Sequence, residues 1–475
     1  MTGKRATRGS ELRVTIEKFA DRGKSLARFD GMVIFVAGAV PGDEVDVRLR
    51  KVKKKFAEGE VIRLVRESAI RTEAVCRYFG YCGGCKWQHV DYSAQLEAKR
   101  QSVREALEHT GGISGIDVRP TIGSESIYLY RNKMEFSFSA QRWLTKAEIQ
   151  SGESFDKSFA LGLHAPGQYA KVIDLEECHL QSTESQLIVN RIRELARESS
   201  WSLWDTKRHE GLLRHLVIRE GKRTGDRMVN LVTSQRDESV IGRMSDVLQS
   251  PEFAVSTFVN TINDTPAQTA LGSATHVIFG PGSIRERIGD FEFTVRPQSF
   301  FQTNTLQAER LYRVARDLAE LQSDDTLYDL YCGAGTIALF LSPFVRRVVG
   351  IEVVRESVED AIDNAKRNGV ENSLFVEGDV ARMVDSAFVA EHGTPDVLVV
   401  DPPRAGLHPK VLKSLLALRP DRLVYVSCNP QTQARDLAAL AEGYSIDVVQ
   451  PVDMFPHTHH TESVARLTAV QRRHP

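Results

Sequence analysis

The pattern of hydrophobic and polar positions changes period along this chain. Between residues 12 and 66 it alternates: Leu12–Ile16, Met32–Val36, Glu44–Leu49 and Gly59–Leu64 are strand-like runs, punctuated by Gly23, Gly31 and Pro41-Gly42. Several short strands in so brief a span predict an all-β unit, a five-stranded barrel of the OB type. A Cys-rich stretch follows, then a helix around Tyr92–Thr110, where Gln95, Leu96, Val103 and Leu107 fit helical spacing. Residues 121–290 mix strand-like pieces (Met134–Ser139, Leu212–Arg219) with a helix near Ser185–Glu198. Further on, Leu327–Tyr331, Val348–Val353, Ser373–Glu377, Val397–Val400 and Leu423–Val426 read as strands separated by helices, the pattern of a doubly wound parallel sheet. The chain thus reads as three domains, 1–67, 68–290 and 291–475: an OB-like β-barrel, an α+β middle and an α/β Rossmann-like carboxyl-terminal domain.

Composition narrows the setting. An apolar fraction of 41% and a charged fraction of 26% are those of an ordinary globular protein. No window approaches the length of a membrane span. The start, Met1–Arg5, is basic with no apolar run behind it, so a secretory signal is not expected. Six cysteines among 475 residues do not suggest a disulfide framework, and a reducing cytoplasm is the better expectation. The net charge of −1 conceals sixteen Lys and Arg against nine Asp and Glu in residues 1–66, including Lys51-Val52-Lys53-Lys54-Lys55. That surplus suits a polyanionic partner held by phosphate contacts, or a solvated basic loop.

The candidate chemistry lies at strand ends. In open α/β sheets ligands bind beyond the carboxyl ends of the strands. The first strand of the sheet leads into Asp329-Leu330-Tyr331-Cys332-Gly333-Ala334-Gly335-Thr336, whose Gly-x-Gly allows a tight turn and a close approach to a ligand. The second ends at Glu352, placed to accept from ribose hydroxyls. That spacing alone leaves NAD and S-adenosylmethionine both open. The fourth ends in Asp401-Pro402-Pro403-Arg404-Ala405-Gly406, where two prolines fix the chain leaving the sheet. A dehydrogenase has no need of such an element, whereas nucleic-acid base methyltransferases typically carry it. After the fifth comes Ser427-Cys428-Asn429-Pro430. The Cys428 thiol is either a nucleophile facing the cleft or a small buried hydrophobe.

With Asp401–Leu407 and Ser427–Pro430 together, the chain resembles the RNA uracil-5 methyltransferase family. Pro297-Gln298-Ser299-Phe300-Phe301-Gln302-Thr303-Asn304 resembles the family's SFFQxN element, and His457–Ser463 its carboxyl-terminal acid motif. Tyr130-Arg131-Asn132-Lys133 is similar to a motif of its central domain. The amino-terminal unit, with Val40-Pro41-Gly42-Asp43-Glu44, resembles the TRAM domain of the ribosomal-RNA members. The resemblance implies a class I S-adenosylmethionine-dependent methyltransferase domain. In it Cys428 is the nucleophile that adds at uracil C6, and Glu462 is the base that removes the C5 proton. It further implies S-adenosylmethionine contacts from Gln302, Tyr331, Thr336, Glu352, Asp379 and Asp401, and RNA contacts from Phe300, Arg404, Arg131 and Lys133.

Four thiols remain. Cys76-x5-Cys82-x2-Cys85, with Gly83-Gly84 between the last two, and the distant Cys178 can hold zinc or an iron–sulfur cluster, and spacing does not choose between them. The resemblance implies [4Fe-4S] ligands. Cys332, inside the glycine turn, is expected to pack. The expected substrate is a uridine of 23S ribosomal RNA, with a tRNA T-loop uridine as the alternative and the enzyme a cytoplasmic monomer. A reading of another class is a non-catalytic RNA-binding iron–sulfur protein.

Overall fold

Alternation builds the amino-terminal strands, and one more than the pattern disclosed. The computed structural model describes residues 7–470, so the Met1–Arg5 start lies outside the described residues. Strands β1 (Glu11–Phe19), β2 (Ser25–Phe29), β3 (Met32–Ala37), β4 (Glu44–Val52) and β5 (Phe56–Arg66) close into a barrel in the order β1-β2-β3-β5-β4. Every second side chain faces inward, so Val14, Ile16, Ile34, Val36, Val45, Val47 and Leu49 form the core while charged partners face out. β2 was missed because Ser25-Leu26-Ala27-Arg28-Phe29 offers little hydrophobic contrast.

Contacts divide the chain into two units. The first comprises residues 1–99 and a returning segment, Phe455–His459; the second comprises Arg100–Met454 and His460–Pro475. The Cys-rich loop of the first unit leads into the helix Tyr92–Glu105, whose predicted extension to Thr110 forms a wider π turn. The amides of Lys86 (2.8 Å) and Trp87 (3.0 Å) donate to the His457 carbonyl, and His457 N donates to Gln95 Oε1 (2.9 Å).

The second unit carries two large sheets. A short strand β6 (Asp117–Val118) precedes β7 (Lys133–Ser139), β8 (Ala160–His164), β9 (Val172–Asp174), β10 (Leu213–Glu220), β11 (Arg227–Thr233), β12 (Thr257–Ile262) and β13 (Ala274–Phe279). The last seven form one sheet, ordered β13-β12-β11-β10-β7-β8-β9. The helices Thr183–Glu198 and Glu238–Leu248 bury Ile188, Ile192, Val240 and Met244 with Phe136, Leu216 and Leu231 of that sheet. A hairpin of β14 (Ile284–Ile288) and β15 (Phe291–Val295) leads towards the second sheet.

That sheet has eight strands: β16 (Thr326–Leu330), β17 (Arg347–Glu352), β18 (Ser373–Glu377), β19 (Val397–Val400), β20 (Arg422–Ser427), β21 (Tyr444–Val452) and β22 (Glu462–Ala469), with β6 at one edge. The order is β18-β17-β16-β19-β20-β22-β21-β6. β16, β17, β18, β19 and β20 run parallel; β22 enters antiparallel beside β20. β16 and β19 are buried along their full length; β19, Val397-Leu398-Val399-Val400, reads as an unbroken apolar run for that reason, whereas β16 carries the buried Asp329. Among the described residues no helix is long and apolar enough to cross a membrane.

Candidate active site

Strand order explains why residues far apart in sequence meet at one rim. β16 and β19 are neighbours, so the turn after β16 and Asp401 after β19 share an end of the sheet. β20 and β22 are antiparallel with Ser427 opposite Ser463, which sets Cys428, one residue past β20, beside Glu462, the first residue of β22. Gln433 locks this pair of strands from below. Its Nε2 donates to the Tyr425 and Ser463 carbonyls (3.0 and 3.3 Å), and its Oε1 accepts from Ser463 Oγ (2.7 Å).

The turn after β16 is built for close approach. Tyr331 stands at φ 68, a left-handed conformation that costs a non-glycine residue roughly 1–3 kcal/mol. It is held there by its amide bonding the Ile351 carbonyl at 2.9 Å. Gly335, at φ 77, has no room for a side chain: a Cβ would lie 2.9 Å from Phe375 and 3.1 Å from Ala361. Space opens at Gly333, where a Cβ would meet nothing within 4 Å. Glu352 braces the turn, its Oε2 accepting from Gly333 N at 3.1 Å while Oε1 accepts from the amides of Val353 and Val354. The Thr336 hydroxyl is 2.9 Å from that of Tyr312, a buried residue the sequence did not single out. Asp379, exposed, caps the short helix Val380–Met383 and pairs with Arg382 at 3.3 Å.

Carboxyl groups and a thiol converge here. Asp329 is fully buried; one oxygen accepts from Ala338 N (2.9 Å) and the other has no hydrogen-bond partner. Burial, with Asp401 near, raises its carboxyl well above the ordinary range. Burial also pushes Asp401 up to about 7, although its side chain is not wholly sealed from solvent. The Cys428 thiol rises to about 11, first through burial and then through the charges of Glu462 and Asp401. The Arg404 guanidinium opposes this, lowering the thiol through its charge and a hydrogen bond. Arg404 is itself fixed by its carbonyl, which accepts from Asn429 Nδ2 at 3.0 Å. Asp436, also unforeseen, ties Leu407 N and Tyr425 Oη to one carboxylate oxygen, both at 2.7 Å.

Such a rim suits S-adenosylmethionine: open space at the glycine turn, and a carboxylate cluster that a cationic sulfonium would relieve. Chemically it presents a thiol, an adjacent carboxyl group and a guanidinium on the thiol. Cys332 is buried, as packing requires.

The remaining expected residues fall elsewhere. Phe300 is 72% exposed on the loop before the helix Thr305–Ala319, whereas its neighbour Phe301 is buried against Phe293. In the central domain Lys133 is half-buried with Glu135 at 3.7 Å, and the Arg131 Nε is buried without a hydrogen-bond partner. Asn132, between them, turns inward. Cys76, Cys82 and Cys85 lie in the first unit and Cys178 in the second, each partly buried. Thiolates are the right donors for an iron–sulfur cluster or zinc. Among the described residues, however, no group of three or more His, Cys, Asp or Glu is gathered for a metal.

Comparison with known proteins gives the family. Residues 282–470 match the tRNA (uracil-5-)-methyltransferase family and residues 5–62 the TRAM domain. The chain is 42% identical over 453 residues to an uncharacterized RNA methyltransferase of Bacteroides thetaiotaomicron, covering 94% of this chain and 99% of that one. It is also 42% identical over 468 residues to one from Chlorobaculum tepidum, covering 97% of each. The crystal structure of Pyrococcus abyssi tRNA (uracil-54, C5)-methyltransferase in complex with S-adenosyl-L-homocysteine superposes with a TM-score of 0.74, at 32% identity, over 96% of this chain and 99% of that one. The chain therefore belongs to the tRNA (uracil-5-)-methyltransferase family: it is an S-adenosylmethionine-dependent RNA uracil-C5 methyltransferase with an amino-terminal TRAM domain.

Proposed function

We propose that the enzyme methylates C5 of a uridine in a structured RNA through a covalent adduct on Cys428. The observation that carries this reading is the register of β20 against β22, which sets Cys428 beside Glu462 with Arg404 on the thiol. Uracil C5 is a poor nucleophile until a thiolate adds at C6 and the ring becomes an enolate. Cys428 releases its proton to solvent water and forms that S–C6 bond as the thiolate, which the Arg404 cation favours. S-adenosylmethionine, when bound, supplies the electrophilic methyl group that the activated C5 takes. Glu462 then accepts the C5 proton, the C5–C6 double bond re-forms, and the Cys428 thiolate leaves. Gln302, Tyr331, Thr336, Glu352, Asp379 and Asp401 line the methyl donor in this reading. Phe300 and Arg404 position the uracil, flipped from its stack or presented in a loop, and Arg131 and Lys133 contact the RNA.

Cys428→Ala should abolish both methylation and RNA adducts resistant to denaturant. Glu462→Gln should slow turnover by roughly 10²- to 10⁴-fold and accumulate the adduct. Full turnover by Cys428→Ala would sink the mechanism.

The RNA itself admits two readings. The basic TRAM unit and the four-cysteine pattern favour 23S ribosomal RNA. The similarity to a tRNA (uracil-54, C5)-methyltransferase favours a tRNA uridine. Methylation of both transcripts, with mapping of the modified base, decides between them. For the four cysteines we propose [4Fe-4S] ligation on donor chemistry and the family resemblance alone, in a structural or RNA-docking role outside the methyl transfer. Iron with acid-labile sulfide in anaerobically purified protein supports it; zinc without iron overturns it. The three-domain division at residues 67 and 290, a monomeric state and a cytoplasmic setting complete the reading. An intact Cys428–Glu462 pair counts against a non-catalytic scaffold.

A further inference from the structure

Residues 297–304 have no regular secondary structure, yet this loop carries both the exposed ring of Phe300 and the amide of Gln302. A loop of that kind holds a functional geometry only if something else fixes its backbone. Asn132 of the central domain does so at three points. Its backbone N–H donates to the Thr303 carbonyl (2.9 Å), and its Nδ2 donates to the Gln302 carbonyl (2.8 Å) and to Thr305 Oγ1 (2.8 Å). Both amide hydrogens are thereby used. The Thr305 hydroxyl passes its own proton on to Glu286 Oε2 (2.6 Å), a buried carboxylate that also accepts from Lys222 N (2.7 Å) and Arg223 N (3.1 Å). Arg219 grips the front of the loop through the carbonyls of Pro297 (3.2 Å) and Ser299 (2.7 Å). Asn132 is 6% exposed, so both side-chain donors are spent inside the protein.

We propose that Asn132 is a positioning residue for the methyl-donor site, acting through the carbonyl of Gln302 and the hydroxyl of Thr305. The proposal rests on the reading above in which Gln302 lines that site. The Tyr130–Lys133 segment thus has a role other than phosphate contact: its central residue sets the loop that carries Gln302 and Phe300. Each lost hydrogen bond leaves a buried carbonyl or hydroxyl without its donor, so the effect should fall on donor affinity.

The test compares Asn132→Leu, Thr305→Val, Thr305→Ser and Gln302→Ala for S-adenosylhomocysteine affinity by calorimetry, and for affinity towards the transcript that the wild type methylates. Steady-state kinetics and melting are measured alongside. Asn132→Leu should weaken S-adenosylhomocysteine binding by about tenfold and raise KM for the methyl donor, with RNA affinity within about twofold of wild type. Thr305→Val should act in the same direction by about threefold, and Thr305→Ser should restore binding. Unchanged S-adenosylhomocysteine affinity in a folded Asn132→Leu overturns the proposal, and loss of RNA affinity alone would make Asn132 an RNA contact. Should Asn132→Leu fail to fold, the Thr305 pair decides: equal affinities for Val and Ser overturn the proposal. If Gln302→Ala binds normally while Asn132→Leu does not, the assignment of Gln302 fails and the positioning role of Asn132 stands.

Discussion

The barrel and the catalytic rim handle carboxylates in opposite ways. In the barrel, acids are paired with bases across neighbouring strands. Asp46 lies between Arg13 and Arg63, whose hydrogen bonds hold it down at about 2, and Glu58 is lowered by Lys24 and Lys51. At the rim Asp329 and Asp401 are drawn together without a cation and both are raised. The barrel's charges are satisfied within its fold, leaving Lys53, Lys54 and Lys55 exposed beyond β4 for an outside polyanion. The rim is left electrostatically incomplete, the condition of a site that receives a cation.

The sharpest test of this contrast is Asp401→Asn. Above about 7 the Asp401 carboxylate is ionised and favours a sulfonium. Below it, binding must expel a proton, so affinity for S-adenosylmethionine should fall by about tenfold per pH unit. Asp401→Asn should weaken binding at pH 8 by at least about tenfold and flatten the profile. Calorimetry from pH 5.5 to 8.5 checks both, with the uncharged thioether of S-adenosylhomocysteine as control.

A smaller effect is expected on the thiol. With Cys428 at about 11, its alkylation by iodoacetamide should climb by about tenfold per pH unit across the neutral range. Arg404→Ala removes the one cation that opposes the rise, so alkylation at pH 8 should slow several-fold and the profile move to higher pH. An unchanged profile would remove Arg404 from the thiol.

On the barrel side, replacing Lys53, Lys54 and Lys55 by Ala should weaken RNA binding and reduce its salt slope by about 2, with the kcat of saturated enzyme unaltered. The least effect is expected from Asp46→Asn. A carboxyl lowered in the folded state stabilises above its unfolded value near 4 and loses that contribution as the pH falls towards 2. This ion pair is exposed and screened by solvent, so melting at pH 7 should barely move. A large drop would mean the barrel depends on its surface pairs more than the rim contrast allows.

Much of the fold was legible for physical reasons. The buried parallel strands read as apolar runs, and Ser373–Glu377 and Val397–Val400 match their observed bounds. The seven-stranded sheet was not legible: β10 and β11 are buried along their whole length yet contain Arg214, Arg219 and Asn230, which breaks the hydrophobic pattern. The terminal nitrogens of Arg214 donate to the carbonyls of Asn263, Thr265 and Ala267, and its guanidinium lies over the Trp204 ring, contacts no local window contains. Gln433 did leave a trace, as a polar residue on the buried face that holds Ala434, Leu437 and Leu440. Tyr312 left none, since an aromatic residue on a helix face is expected to pack.

By itself the sequence determined which groups stand at strand ends, because proline, glycine and apolar runs act on their immediate neighbours. It also carried the motifs that mark the family. Tertiary structure alone decided that Cys428 meets Glu462 through an antiparallel register, that Asp329 and Asp401 share one buried field, and that Asn132 reaches Gln302 across 170 positions. Those outcomes depend on strand order and burial. They are properties of the whole packed chain, and no residue encodes them alone.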